Sequence, residues 1–410
     1  MARRHPHRWP TAMRHDGRDY LTTAQVARAL GIKPASVYAY VSRGQLESVR
    51  IAGIRGSLFA VGEVEALRRR TQQRPPAGVV ERIRTEITLL ADDRLHYRGH
   101  DATELAFTAD FLEVVDLLWG TTTTGSDCPA AQAAVTLPTL PGAGRRLDRI
   151  RVTVDLLGAA DGSRGSIGAD DVAHKARGVI DAVVDTLPMV AETGAGSTVA
   201  QRLWCRLSPM APTAPRIRLL NAALILLADH DLAAGTVAAR VAASARGSIY
   251  AVISAGLGAF DGPLHGGATT LAYDFLASVL ADADGPQHRV AEYLRGHDLP
   301  PGCGHIVYRT HDPRADALLR GLEAEGGRRD VLAAVEAVRA GVTGRPRGFV
   351  NSDLALAAFT LRYRMVPDAA ETIFAIARIA GWVAHAIEEY RAPRLRFRPE
   401  GVYTGVRPAT

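Results

Sequence analysis

Four short stretches of this sequence concentrate side chains that can hold or move protons. They are Asp229-His230-Asp231; His265 within Gly262-Pro263-Leu264-His265-Gly266-Gly267-Ala268; His305 closing Pro301-Gly302-Cys303-Gly304-His305; and Asp353 in Asn351-Ser352-Asp353. The third continues through Arg309 to Asp312-Pro313-Arg314. Two of the histidines lie in glycine-rich turns, where backbone can come close to a ligand. Helix N-termini after such turns supply N–H groups and a partial positive charge. One carboxylate base, two proton donors and several arginines able to grip an anion bidentately suit carbanion chemistry on a polycarboxylate. No metal pattern appears: His385 and Glu389 form an isolated i, i+4 pair with no HExxH-like cluster around it. Neither a phosphate-cradling P-loop nor a dinucleotide fingerprint is present.

The elements that must position these residues read as mostly helical. Arg216 to Leu232, Ala234 to Ser244, Ser248 to Phe260 and Ala370 to Tyr390 are long, apolar-rich and free of internal proline. Ile373 to Ile387 is apolar nearly all round, which predicts a helix buried on every side, and His385 on it is expected to be a packing residue. His297 and His311 read as surface or loop residues. Strand-like alternation is scarce, with Ile83 to Leu90 and His96-Tyr97 the best prospects for one hairpin. No stretch reads as a membrane span of about 20 apolar residues, and the N-terminus lacks the apolar core of a secretory signal. Cys128, Cys205 and Cys303 show no paired spacing, which fits a reducing compartment. The expectation is a cytoplasmic protein.

Charge divides the chain. Its 49 basic and 43 acidic residues give +6 overall. Residues 1–75 hold fourteen basic and five acidic residues, so the first fifth carries +9 and the rest −3. A basic head on a slightly acidic body suits contact with a polyanion. Thr22 or Thr23 can cap a helix over Ala24 to Leu30, Gly31 permits a left-handed turn, and Pro34 can open a second helix ending at Gly44. Glu47 to Ala60 reads as a short hairpin or wing, and Gly62 to Arg70 as a last helix. The unit resembles the winged helix-turn-helix of the MerR and excisionase type. That resemblance implies a second helix in the major groove and a wing on the backbone, with Lys33, Ser36, Tyr38, Arg43, Arg50 and Arg55 as DNA contacts. A small helical module for protein contacts is the alternative.

Beyond a Pro/Gly linker, the body from about Gly78 resembles citrate synthase. Eight motifs carry the resemblance in order. They are Tyr97-Arg98-Gly99 with Asp101; Leu226 to His230; Gly262 to Ala268; Pro301 to His305; Asp312 to Ala315; Asn351 to Asp353; Ala375 to His385; and Arg398-Pro399 with Tyr403-Thr404-Gly405. The resemblance implies a mainly α, two-lobed fold. It would place a large domain at 79–266 plus 367–410 and a small one at 267–366. Before them would come a basic flexible tail at 1–19, the head at 20–71 and a linker at 72–78.

The same resemblance implies condensation of acetyl-CoA with oxaloacetate. Asp353 would be the base, His265 the donor to the thioester carbonyl, and His305 the donor to the ketone. His230, Arg314 and Arg378 would bind oxaloacetate, and Arg398 would reach the partner's site in a homodimer. Arg309 could meet CoA phosphates. The reaction would use an acyl-CoA as co-substrate, with no metal and no resident cofactor. Cys303, Ile306 and the run Leu354-Ala355-Leu356-Ala357 depart from the common family pattern. Three readings therefore stand: a citrate synthase, a 2-methylcitrate synthase using propanoyl-CoA, and a DNA-binding regulator that senses oxaloacetate or acyl-CoA.

Overall fold

The computed structural model describes residues 12–71 except Gly31, Arg43, Ala52 and Arg55, and then 83–121, 144–191 and 196–397. The chain forms two units, which are described separately.

The head consists of β1 (Met13–His15), β2 (Arg18–Thr22), α1 (Thr23–Leu30), α2 (Pro34–Ser42), β3 (Leu58–Ala60) and α3 (Val61–Thr71). Thr22 caps α1 as expected: its backbone N–H donates to Gln25 Oε1 at 2.8 Å, and its hydroxyl accepts from the Gln25 N–H at 3.4 Å. Leu21, Val26, Val37, Leu46, Phe59 and Val64 form the core. Two expectations are corrected. Residues 13–19 are not a flexible tail, because Asp16 and Gly17 both take positive φ and turn β1 onto β2. An Asp-Gly pair of that kind makes a tight hairpin. Nor is 47–60 a regular hairpin. Val49 and Leu58 share one bridge, and β3 instead pairs with β2, setting Leu21 opposite Phe59.

The body begins with a small antiparallel sheet of β4 (Thr88–Ala91), β5 (Arg94–Tyr97) and β6 (His100–Asp101). Helices follow: α4 (Ala102–Thr108), α5 (Phe111–Trp119), α6 (Arg146–Ala160), α7 (Ala169–Asp185), α8 (Val199–Leu207), α9 (Ala214–Leu227), α10 (Ala234–Ser244) and α11 (Ile249–Phe260). Then come α12 (Ala268–Ala281), α13 (Pro286–Leu294), α14 (Pro313–Glu325), α15 (Arg329–Val342), α16 (Ser352–Arg362) and α17 (Ala369–Arg391). The sheet matches the expected hairpin with one strand added. The helix expected to run to Leu232 stops at Leu227, because Asp231 turns into positive φ.

One continuous core joins these helices, with α17 through its middle. This helix is long and apolar enough to cross a membrane, more so than the sequence reading allowed, and its apolar stretch lies wholly inside the body. α5, α7, α9, α10 and α11 all pack against it. Close packing demands small residues there. A Cβ on Gly256 would stand 2.6 Å from the Trp382 ring.

Candidate active site

His230 stands just beyond α9, on backbone held by polar groups. The Tyr97 hydroxyl lies 3.0 Å from the carbonyls of Ile225 and Asp229. The buried Asp229 carboxylate accepts from the Thr88 hydroxyl at 2.5 Å and the Asp231 N–H at 3.1 Å, and faces His385 Nε2 at 3.4 Å. Burial pushes its pKa up, but His385, Arg378 and Thr88 together hold it below the ordinary value. His385 is therefore part of a polar network, which corrects the packing expectation. Its Nδ1 lies 2.6 Å from the Arg240 guanidinium, which also pairs with Glu388 and Glu389 at 2.6 and 3.1 Å. His385, Glu388 and Glu389 share one helix face, and the buried Arg240 draws that face into an ionic cluster.

The α9 end meets α17 at Gly381, whose N–H donates to the Ala228 carbonyl at 2.9 Å. A Cβ there would come within 2.2 Å of Asp229 Oδ1 and 2.6 Å of the Ala228 oxygen. Gly381→Ala is expected to destabilise the protein by roughly 1–3 kcal/mol, visible as a lowered Tm; an unchanged melt would mean the two helices separate freely.

His265 is held by a tight turn. Gly266 N–H donates to the Phe260 carbonyl at 2.8 Å, and Gly267 N–H to that of Gly262 at 3.2 Å. A Cβ on Gly266 would meet the Phe260 ring at 2.2 Å, so only glycine lets the turn fold back on α11. The imidazole lies between Phe260 and Phe374, with ring centroids at 5.1 and 5.7 Å. Its Nε2 is buried with no hydrogen-bond partner among the described residues. Burial, with Arg378 nearby, brings its pKa down to about 4, so the ring is neutral at neutral pH.

His305 and Asp353 are placed by one junction. Gly304 N–H donates to the Phe349 carbonyl at 2.7 Å, Asn351 N–H to that of Gly302 at 2.9 Å, and Asn351 Nδ2 to that of Gly304 at 2.9 Å. Gly302 and Gly304 both have positive φ, which glycine alone adopts without strain. Asn351 Oδ1 accepts from Asp353 N–H at 2.9 Å and so caps α16. The same asparagine thus fixes the loop before His305 and the helix turn bearing Asp353. His305 Nδ1 accepts the Val307 N–H at 3.0 Å. A backbone N–H can only donate, so the proton of the neutral ring sits on Nε2. Burial and Arg314 take the His305 pKa to about 4. Asp353 is the opposite case. Its carboxylate accepts no hydrogen bond from a described residue, and burial lifts its pKa to about 6 against the pull of Arg314.

Two arginines complete the arrangement. Arg314 lies in a fork with the buried Asp312, at 2.9 Å through Nε and 2.7 Å through one terminal nitrogen. Asp312 also accepts the Ser352 N–H at 3.0 Å, linking this arginine to the helix of Asp353. Arg378 has no carboxylate partner among the described residues. Its Nε donates to the Leu227 carbonyl at 2.8 Å, and its guanidinium stacks 4.7 Å from the Phe374 ring. One terminal nitrogen is buried with no partner among the described residues, and burial pushes the Arg378 pKa down to about 10.

His230, His265, His305, Arg314, Asp353 and Arg378 all line one cavity of about 740 Å³. Arg309 does not. It is exposed beside Asp93 on a neighbouring recess formed with Leu90 to Asp93. Arg398 lies outside the described residues. In the head, Lys33, Ser36, Tyr38 and Arg50 are exposed, while Arg43 and Arg55 lie outside the described residues. Half-buried Cys303 lines the cavity with its thiol pKa pushed up to about 12 by burial, a poor nucleophile. Sequence reading missed Tyr308 and Phe374 as site partners, and it quoted Asp312 in a motif without giving it a role. The N-cap pattern Asp-Pro-Arg could have flagged Asp312; for Tyr308 and Phe374 the signal is absent.

Two neutral histidines, a carboxylate of raised pKa and a buried cation with no carboxylate partner among the described residues thus line one cavity. Comparison with known proteins gives the class. Residues 78–400 match the family described as citrate synthase, C-terminal domain, and residues 20–71 match a helix-turn-helix domain. The chain belongs to the citrate synthase family and is an enzyme of the citrate/2-methylcitrate synthase type with a helix-turn-helix domain at its N-terminus. Citrate synthase 2 of Bacillus subtilis is 28% identical over 350 residues, covering 78% of this chain and 93% of that protein. The 2-methylcitrate synthase of Shewanella oneidensis is 27% identical over 340 residues, covering 77% and 89%. In fold, the chain matches citrate synthase from Thermoplasma acidophilum, solved as a ternary complex with carboxymethyl coenzyme A and oxaloacetate, with TM-score 0.66, 23% identity and coverage of 81% of this chain and 96% of that one.

Proposed function

We propose that the body condenses acetyl-CoA with oxaloacetate and water to citrate and CoA. The observation that carries this reading is the shared cavity, lined by neutral histidines, by a carboxylate that accepts no hydrogen bond from a described residue and by an arginine with no carboxylate partner among the described residues. Asp353 takes a proton from the carbon beside the thioester, and a ring N–H of His265 stabilises the enolate oxygen. That carbon attacks the oxaloacetate ketone, whose oxygen receives the proton on His305 Nε2. Arg314 and Arg378 hold the carboxylates, with His230 beside them. Water then cleaves the thioester of the citryl-CoA, releasing CoA. The scheme calls on no resident cofactor.

Propanoyl-CoA is the nearest alternative donor, since one methylene changes binding by only about 1–3 kcal/mol. We also assign to the working enzyme a homodimer with Arg398 at the partner's site, and two lobes, 79–266 with 367–410 and 267–366, that close on oxaloacetate. CoA release by the purified protein with oxaloacetate, compared between acetyl-CoA and propanoyl-CoA, tests the reading. The ratio of kcat/KM names the donor, and no release with either rejects condensation.

A second activity is favoured by the head, where Lys33, Ser36 and Tyr38 stand exposed on or beside α2. The head binds duplex DNA, and the body's ligands would then regulate it. Binding measured by fluorescence anisotropy is expected to weaken steeply with salt and to vanish when residues 1–74 are deleted. Equal binding by the truncated body would remove the head from DNA recognition.

A further inference from the structure

The scheme above leaves Tyr308 without a part. It is 1% exposed, and its hydroxyl lies 3.0 Å from Nε2 of His230. Its ring centroid is 5.3 Å from that of His230 and 4.9 Å from that of His305, with the Arg314 guanidinium 5.5 Å away. The loop carrying it is fastened just beyond. The Asp93 carboxylate accepts the N–H groups of Arg309 and Thr310, both at 2.8 Å, and the Thr310 hydroxyl at 2.5 Å.

We propose that Tyr308 is a positioning residue that sets the tautomer of His230: its hydroxyl donates to Nε2, which leaves the ring proton on Nδ1 for the substrate. The argument is one of satisfied donors. A phenol has one O–H to place, and His230 is the acceptor found for it among the described residues. In the reverse arrangement Nε2–H would donate to the phenol oxygen. The buried O–H would then have no acceptor, a larger penalty than an unfilled lone pair. Burial and the charge of Arg314 hold the His230 pKa far below its ordinary value, so the ring carries one proton and the choice is between two tautomers. An Nδ1–H offers a hydrogen bond to the oxygens of a keto diacid, where a bare nitrogen would repel them. The benefit to the substrate rests on the oxaloacetate reading; the tautomer does not.

The test is nitrogen-15 NMR of histidine-labelled full-length protein without substrate, with His230 assigned by its loss in His230→Asn. In the wild type, Nδ1 should be protonated and Nε2 bare. In Tyr308→Phe, which keeps the ring and its packing, the Nε2 signal should move toward the protonated form. The same variant should raise KM for oxaloacetate about tenfold, with kcat and the acyl-CoA KM changed less than about twofold. A wild-type His230 protonated on Nε2 overturns the proposal, as does a variant with an unaltered tautomer, whatever its KM. The NMR measurement uses no substrate, so it decides the role of Tyr308 even if the wild type fails to turn over.

Discussion

Asp353→Asn is expected to lower turnover about a thousandfold, the scale of a lost general base, while oxaloacetate binding changes little. Asparagine matches the carboxylate in shape but cannot accept the proton. Among the described residues no hydrogen bond ties the Asp353 carboxylate, and burial lifts its pKa to about 6, as the proposed role of base requires. Wild-type kcat/KM should therefore fall about tenfold per pH unit below pH 6, as the base becomes protonated. The same raised pKa has a cost in stability. The folded state holds this proton more tightly than the unfolded chain, so stability falls as pH rises from about 4 to 6 and the carboxylate ionises. A shift from 3.8 to about 6 corresponds to at most about 3 kcal/mol. The asparagine variant should recover part of that at pH 7 and none below pH 4, as urea denaturation at both pH values would show. Normal turnover would place the base elsewhere, and a variant no more stable at pH 7 would mean that burial does not raise the Asp353 pKa.

Arg378→Met is expected to weaken oxaloacetate binding by about a hundredfold or more. Two charge-assisted hydrogen bonds to a carboxylate contribute about 3 kcal/mol or more, and about 1.4 kcal/mol is tenfold. Arg378 stands out because its charge is buried without a carboxylate among the described residues, while Arg314 already shares its charge with Asp312. An unpaired guanidinium in the core is costly, and an anionic substrate would relieve that cost. Arg378→Lys should fall between, since lysine keeps the charge and loses the fork. Calorimetric titration with oxaloacetate measures all three proteins. Unchanged affinity in the methionine variant would assign anion recognition to Arg314 alone.

The sequence by itself determined the elements and the family. Long apolar runs without proline made α10, α11 and α17 legible, because helix period and breakers are local properties of the chain. Ordered motifs marked His230, His265, His305, Asp353, Arg314 and Arg378, all of which line one cavity. What only the tertiary structure decided depends on contacts between distant segments. Thr88 and His385, which are 297 positions apart in the chain, meet at one carboxylate of Asp229. Asn351 joins the His305 loop to the Asp353 helix, and Tyr308 reaches His230 across 78 residues. Protonation states belong to the same class. A histidine at pKa about 4 and an aspartate at about 6 are products of burial and neighbouring charge. Residue type and spacing name the groups that can react; the packed environment sets which of them holds the proton.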